Sequence, residues 1–128
     1  MCSSDLTYSD MRDNAAMVAS FVENAERLGR TVSDPSVIGR KVMGSTDMGN
    51  VSYLVPSIHP MLQVSDPGVS IHTREFAEFA GGPSGDRAVL DGAKAMAMTA
   101  VDLWQRSGLL EAARREFGSG PDRSVLDR

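Results

Sequence analysis

The sequence predicts an α/β fold, with helices layered on an unusually small sheet. Three observations predict it. Two long segments, residues 10–29 and 84–106, repeat apolar residues at three- and four-residue steps, the spacing of a helix face. Between them lie short apolar stretches bounded by Pro and Gly, which read as strands. A chain of 128 residues, 41% hydrophobic and 23% charged, suits one soluble globular domain with its own core. A sheet of two or three strands leaves its edges bare. Further strands are therefore expected to be missing, and the fold to be incomplete on its own.

The first helix is carried by SDMRDNAAMVASFVENAERLG, where Met11, Ala15, Val18, Phe21, Val22, Ala25 and Leu28 share one face. Ser9 or Asp10 is expected to cap its start, and Gly29 to close it with a positive φ. Pro35 and Gly39 then break any regular structure, leaving room for a short strand near Val37 to Met43. STDMGNVSYLV reads as a loop entering a short helix, capped by Ser45, Thr46 or Asp47 and closed by Pro56. SIHPMLQVS reads as a strand built on Ile58, Leu62 and Val64, with Asp66, Pro67 and Gly68 as its turn. VSIHT reads as a second, shorter extended piece. The strongest helix runs from Ser84 to Arg106, with Val89, Leu90, Ala93, Ala97, Ala100, Val101 and Trp104 as a continuous stripe. A short helix, Leu109 to Phe117, and a polar, Gly/Pro-rich tail over 119–128 complete the order.

The net charge of −4, with no basic patch, argues against a nucleic-acid or anionic-membrane partner. No apolar run approaches the roughly 20 residues that span a bilayer, and no leader pattern opens the chain. A cytoplasmic protein is expected. The single cysteine, Cys2, leaves no internal disulfide and no Cys-based zinc cluster. Its setting, MCSSDL, is expected to be a cloning or assembly scar over residues 1–6, which would make Met1 a false start.

Two stretches carry the chemistry. His72, in VSIHTREF, follows a predicted strand end, where open α/β sheets place ligands. A neutral imidazole there can coordinate a metal while Glu75 or Glu78 holds its other N–H. A lone His is also often a surface or packed residue. His59 stands within the other strand, facing either a substrate or a backbone partner. GSTDMGN offers glycines, two hydroxyls and the first N–H groups of a helix, a setting that can hold a carboxylate or phosphate. It reads equally as an ordinary capped turn, and no Lys follows the glycines as a Walker loop requires. Asp47 and His72 are too few for a metal site. The Met-rich AMAMT and Trp104 read as core.

With these residues in hand, the chain resembles the zinc aminoacylase, carboxypeptidase and dipeptidase superfamily, in its aminobenzoyl-glutamate hydrolase and peptidase-like dipeptidase branch. GSTDMGNVS, VPSIHP, SIHTREF and AKAMAMTAVDLW carry the resemblance, which DMRDN and ENAERLGR extend from Tyr8 to Phe117. It implies that residues 7–118 are the carboxy-terminal segment of a split α/β catalytic domain. An inserted lid that makes homodimers would be absent. His72 then matches the last metal-binding His. Gly44, Ser45, Thr46, Asp47 and Asn50 match a loop lining the substrate site, with Asp47 holding that loop together, and His59 matches a His of this branch. The remaining ligands and the general-base Glu are expected upstream, so no catalytic residue is expected in the chain itself. Ser70 stands where the family has Asn, and Arg74 where it has an acid.

The implied chemistry is amide hydrolysis in N-acyl amino acids or dipeptides, assisted by one or two zinc ions, with Mn or Co as alternatives. The metal would lower the pKa of a bound water to about 7 and polarise the scissile carbonyl, while a Glu moved the proton. The chain alone is expected to be inactive. The competing reading is a small non-catalytic α/β module that binds an anion at Ser45 and Thr46.

Overall fold

A computed structural model describes residues 9–32 and 46–120. These residues form helices α1 (Ala15–Arg27), α2 (Met48–Ser52), α3 (Arg74–Ala80), α4 (Pro83–Gln105) and α5 (Leu109–Gly118). The expected α/β architecture is overturned: among the described residues there is no sheet, only an isolated parallel bridge between Asp13 and Ser57. The short strand expected near Val37 to Met43 lies outside the described residues.

The physical reason for the error is visible between Ile58 and Val64. Ile58, Pro60, Leu62 and Val64 are half-buried, whereas His59, Met61 and Gln63 are exposed. That is the period of an extended chain. A strand also needs a neighbour to satisfy its backbone, and no described segment runs alongside. The segment instead lies as a rib on the helices, with Ile58 against the core and Leu62 against α4 at Gly92. The Asp66–Gly68 turn forms as expected, with φ 100° at Gly68 and the Val69 N–H donating to the Asp66 carbonyl at 3.3 Å. VSIHT is a turn that leads into α3, an element the sequence reading did not anticipate.

Helix α1 starts later than Ser9 or Asp10 suggested, because Asn14 is the cap. Its Oδ1 accepts from the Met17 N–H at 3.2 Å, and its Nδ2 donates to the Ala113 carbonyl of α5 at 2.9 Å. α1 has no acidic residue in its own first turn. Glu116 of α5 supplies one, accepting from the N–H groups of Ala15 at 2.8 Å and Ala16 at 3.2 Å. In return Arg12 donates to the Glu116 and Phe117 carbonyls at 3.1 and 2.7 Å, with its guanidinium 5.0 Å from the Phe117 ring centroid. The start of one helix and the end of the other thus satisfy each other's orphan groups. α1 closes as expected at Gly29, with φ 80°. The Arg30 N–H reaches the Ala25 carbonyl and the Gly29 N–H the Glu26 carbonyl, a Schellman cap.

The core sits between α1 and α4. Phe21, Ala25 and Ala95 are buried, with Leu28 and Ile58 packed against them. Beside them runs a polar seam. Asn24 donates to Asp102 at 2.8 Å and Thr99 at 3.3 Å, and the Ser20 hydroxyl donates to Asp102 at 2.9 Å. The buried face of α4 is Gly85, Ala88, Gly92, Ala95 and Thr99, not the stripe the sequence singled out. Small residues let the neighbouring backbones approach closely. Val89, Leu90 and Trp104 therefore point away, 71%, 58% and 81% exposed. AMAMT is split in the same way, with Ala95 and Thr99 inside and Met96 outside.

Candidate functional site

Of the expected substrate loop, Gly44 and Ser45 lie outside the described residues. From Thr46 onward the loop is a tight entry to α2. The Thr46 hydroxyl accepts from the Met48 N–H at 3.3 Å, and its carbonyl accepts from the Gly49 N–H at 3.2 Å. Asp47 occupies the cap position, yet its side chain caps nothing and is exposed. Asn50 is tied inward, its Oδ1 accepting from the Ser9 N–H at 2.8 Å. Ser52 does the same for the next turn, accepting from the Arg12 N–H at 3.0 Å while donating to the Gly49 carbonyl at 2.5 Å. Gly49 is buried beneath this staple, and a Cβ there would collide with the Ser9 carbonyl. Asn50 thus holds α2 onto the segment before α1, while at the entry of α2 Asp47 is exposed and Thr46 half-buried.

His59 is exposed on the extended rib. Its backbone N–H donates to Asp13 Oδ1 at 3.3 Å. His72 is also exposed, at the tip of the turn before α3, and it is the one described non-glycine residue with positive φ, at 65°. An L-residue there costs about 1–2 kcal/mol, so the turn presents the imidazole at a strained backbone position. Thr73 anchors the next residue. Its hydroxyl donates to the Ser70 carbonyl at 2.8 Å and accepts from the Phe76 N–H at 3.1 Å, which starts α3. Ser70 contributes through its backbone, and Arg74 is simply the first residue of the exposed helix.

The described groups lie on separate elements, with Thr46, Asp47 and Asn50 at α2, His59 on the extended rib and His72 at the turn before α3. The helix pairs that pack are α1 with α4, α1 with α5, α3 with α4, and α4 with α5. α2, which carries Asn50, is not among them. Among the described residues no three His, Cys, Asp or Glu side chains converge to hold a metal ion. The chain's described donors therefore do not make up a complete zinc site.

The most perturbed acid is elsewhere. Asn24 and Ser20 hydrogen bonds hold the Asp102 carboxyl below its ordinary range, against partial burial, with help from Arg106 and Arg27. Arg106 in turn is raised by Glu23, 2.8 Å away. Sequence reading missed this cluster, although Ser20 and Asn24 interrupt an apolar helix face at a four-residue step. It joins α1 to α4.

Over 110 residues, 86% of its length, the chain is 36% identical to the Xaa-Arg dipeptidase of Mus musculus and 34% identical to that of Homo sapiens. Its relatives are dipeptidases. The chain spans 25% of the length of each. Both matches point to relatives of the dipeptidase type. No protein-family model matches the chain, and no solved structure matches it significantly. Among the described residues no helix is long and apolar enough to cross a membrane.

Proposed function

We propose that the chain is one part of a metal-dependent dipeptidase that hydrolyses the amide bond of a dipeptide, with arginine as the released residue, and that it is inactive alone. The observation that carries this reading is the 36% identity over 110 residues to an Xaa-Arg dipeptidase that the chain covers only to 25%. His72 supplies one metal ligand, and the remaining donors come from elsewhere in a longer chain. Thr46 and Asp47, exposed to different degrees at the entry of α2, face the substrate together with Gly44 and Ser45. His59 lines its approach. In this reading the longer enzyme is a cytoplasmic homodimer that uses zinc.

The test is to read the locus on both sides of the 128 codons and assay the full product on dipeptides ending in arginine. Turnover by the full product, none by the 128-residue chain, and loss of both turnover and bound metal in His72→Ala are expected. A full product that keeps its metal and its rate after His72→Ala would refute the ligand assignment. A locus with no extension would refute the dipeptidase reading.

A further inference from the structure

Among the described residues four have positive φ: Gly29, Gly68, Gly108 and His72. Glycine adopts that conformation without steric cost. At position 72 the chain carries an imidazole instead, and an L-residue there brings its Cβ against the following carbonyl. Such a backbone persists only where its surroundings over-determine it, and residues of this kind cluster at functional sites. Packing does not supply the constraint here, because Ser70, Ile71, His72 and Thr73 are all exposed. The Thr73 hydroxyl supplies it. It donates to the Ser70 carbonyl at 2.8 Å, across His72, and accepts from the Phe76 N–H at 3.1 Å. The first bond closes the turn from residue 70 to 73. The second fastens that turn to α3, which packs on α4. Thr73 itself is extended, at φ −109° and ψ 161°, so the chain passes from left-handed to extended backbone between adjacent residues.

We infer that Thr73 is a positioning residue: its hydroxyl bridge sets the left-handed backbone at His72, and with it the direction in which the imidazole leaves the turn. The inference rests on the reading of His72 as a metal ligand. Partners that orient a ligating histidine commonly bond the free nitrogen of its ring. Thr73 acts one residue along and through the main chain. Its branched side chain restricts χ1, which keeps the hydroxyl aimed at both the Ser70 carbonyl and the Phe76 N–H. A serine offers the same hydroxyl with a freer χ1, and a valine offers the same branch with no hydroxyl, so the two substitutions separate the bridge from the shape of the side chain.

Two measurements test this. In the 128-residue chain, nuclear magnetic resonance should show at His72 the strong intraresidue amide–Hα NOE that marks positive φ. Thr73→Ser should keep it and Thr73→Val should lose it. In the full product of the locus, zinc affinity is read by competition with a chelating dye. It is expected to fall about tenfold or more in Thr73→Val, the range found when a metal ligand loses its support, and to recover in Thr73→Ser. Glu116→Ala, which weakens the fold at the junction of α1 and α5, should leave zinc affinity unchanged. A parent chain without the NOE, or a Thr73→Val variant that keeps it, overturns the inference. So does a loss of zinc that serine does not recover, or an equal loss in Glu116→Ala, which would make the effect one of general stability. Undiminished zinc affinity in Thr73→Val overturns the inference alone when His72→Ala still loses the metal, because the ligand reading then stands. Zinc retained in His72→Ala, or a locus with no extension, overturns the ligand reading and the inference with it.

Discussion

Glu116 is the side chain on which the junction of α1 and α5 turns, and its removal has a calculable cost. Its carboxylate accepts two N–H groups of α1, at 2.8 and 3.2 Å. It is the acid that α1 lacks in its own first turn. Hydrogen bonds to a charged group contribute about 1.5–3 kcal/mol, and a negative charge at a helix N-terminus about 0.3–1 kcal/mol. Because Ala15 is exposed, water replaces part of what is lost. Glu116→Ala should therefore cost about 2 kcal/mol. For a chain between the usual size classes that corresponds to a fall in Tm of roughly 6–10 °C. Glu116→Gln keeps an acceptor and loses the charge, so it should cost about half as much. The assay is thermal melting by far-ultraviolet circular dichroism at pH 7, with urea melts to separate stability from compactness. Arg12 bonds the backbone carbonyl of Glu116 and not its carboxylate, so Arg12→Ala should add a separate loss of about 1–2 kcal/mol. A Glu116→Ala variant melting within a degree of the parent would refute the reciprocal cap.

Three further outcomes follow from the same geometry. Asp102 has a lowered pKa in the folded chain, so its stabilisation is complete above its ordinary value of 3.8 and is lost as pH falls below that. Asp102→Asn should flatten the loss of Tm between pH 5 and acid pH, measured by melts across that range; an unchanged slope counts against the Asn24 and Ser20 bonds. Gly49→Ala would drive a Cβ into the Ser9 carbonyl and should destabilise by about 1–3 kcal/mol, with the Asn50 staple reported by amide exchange at Ser9. His72→Gly should raise stability by about 1 kcal/mol by relieving the positive φ while abolishing metal binding in the full product. A variant that loses stability would mean that the backbone at His72 is unstrained.

Helices α1, α2, α4 and α5 were legible because their signals are local, whereas α3 was not anticipated. The apolar steps around Phe21 and Ala25, the glycine at 29 and the small residues of α4 each recur within a single segment. The α4 stripe was legible as apolar but not as outward-facing, because which side is buried depends on α1, some 70 residues earlier in the chain. The cap at Asn14 was missed for a similar reason, since it is reinforced from Ala113 and Glu116. The sheet failed at the one property a strand cannot encode alone. Ile58 to Val64 specify an extended backbone, but not the neighbour that would pair with it. For the candidate site, the sequence identified His72 as a residue of interest, and only the structure revealed its positive φ. Asn50, expected to line a substrate, accepts from the Ser9 N–H.

The clasp between Arg12 and the end of α5 also sets a clock on synthesis. Its partners are 104 and 105 residues apart. At about 5–20 residues per second, roughly 5–20 s separate the making of Arg12 from that of Phe117. Throughout that interval α1 can coil, but its first amides have only water and Asn14 as partners. The junction thus forms only after Phe117 has been made, and a nascent chain halted before residue 116 carries an α1 whose entry is unlatched.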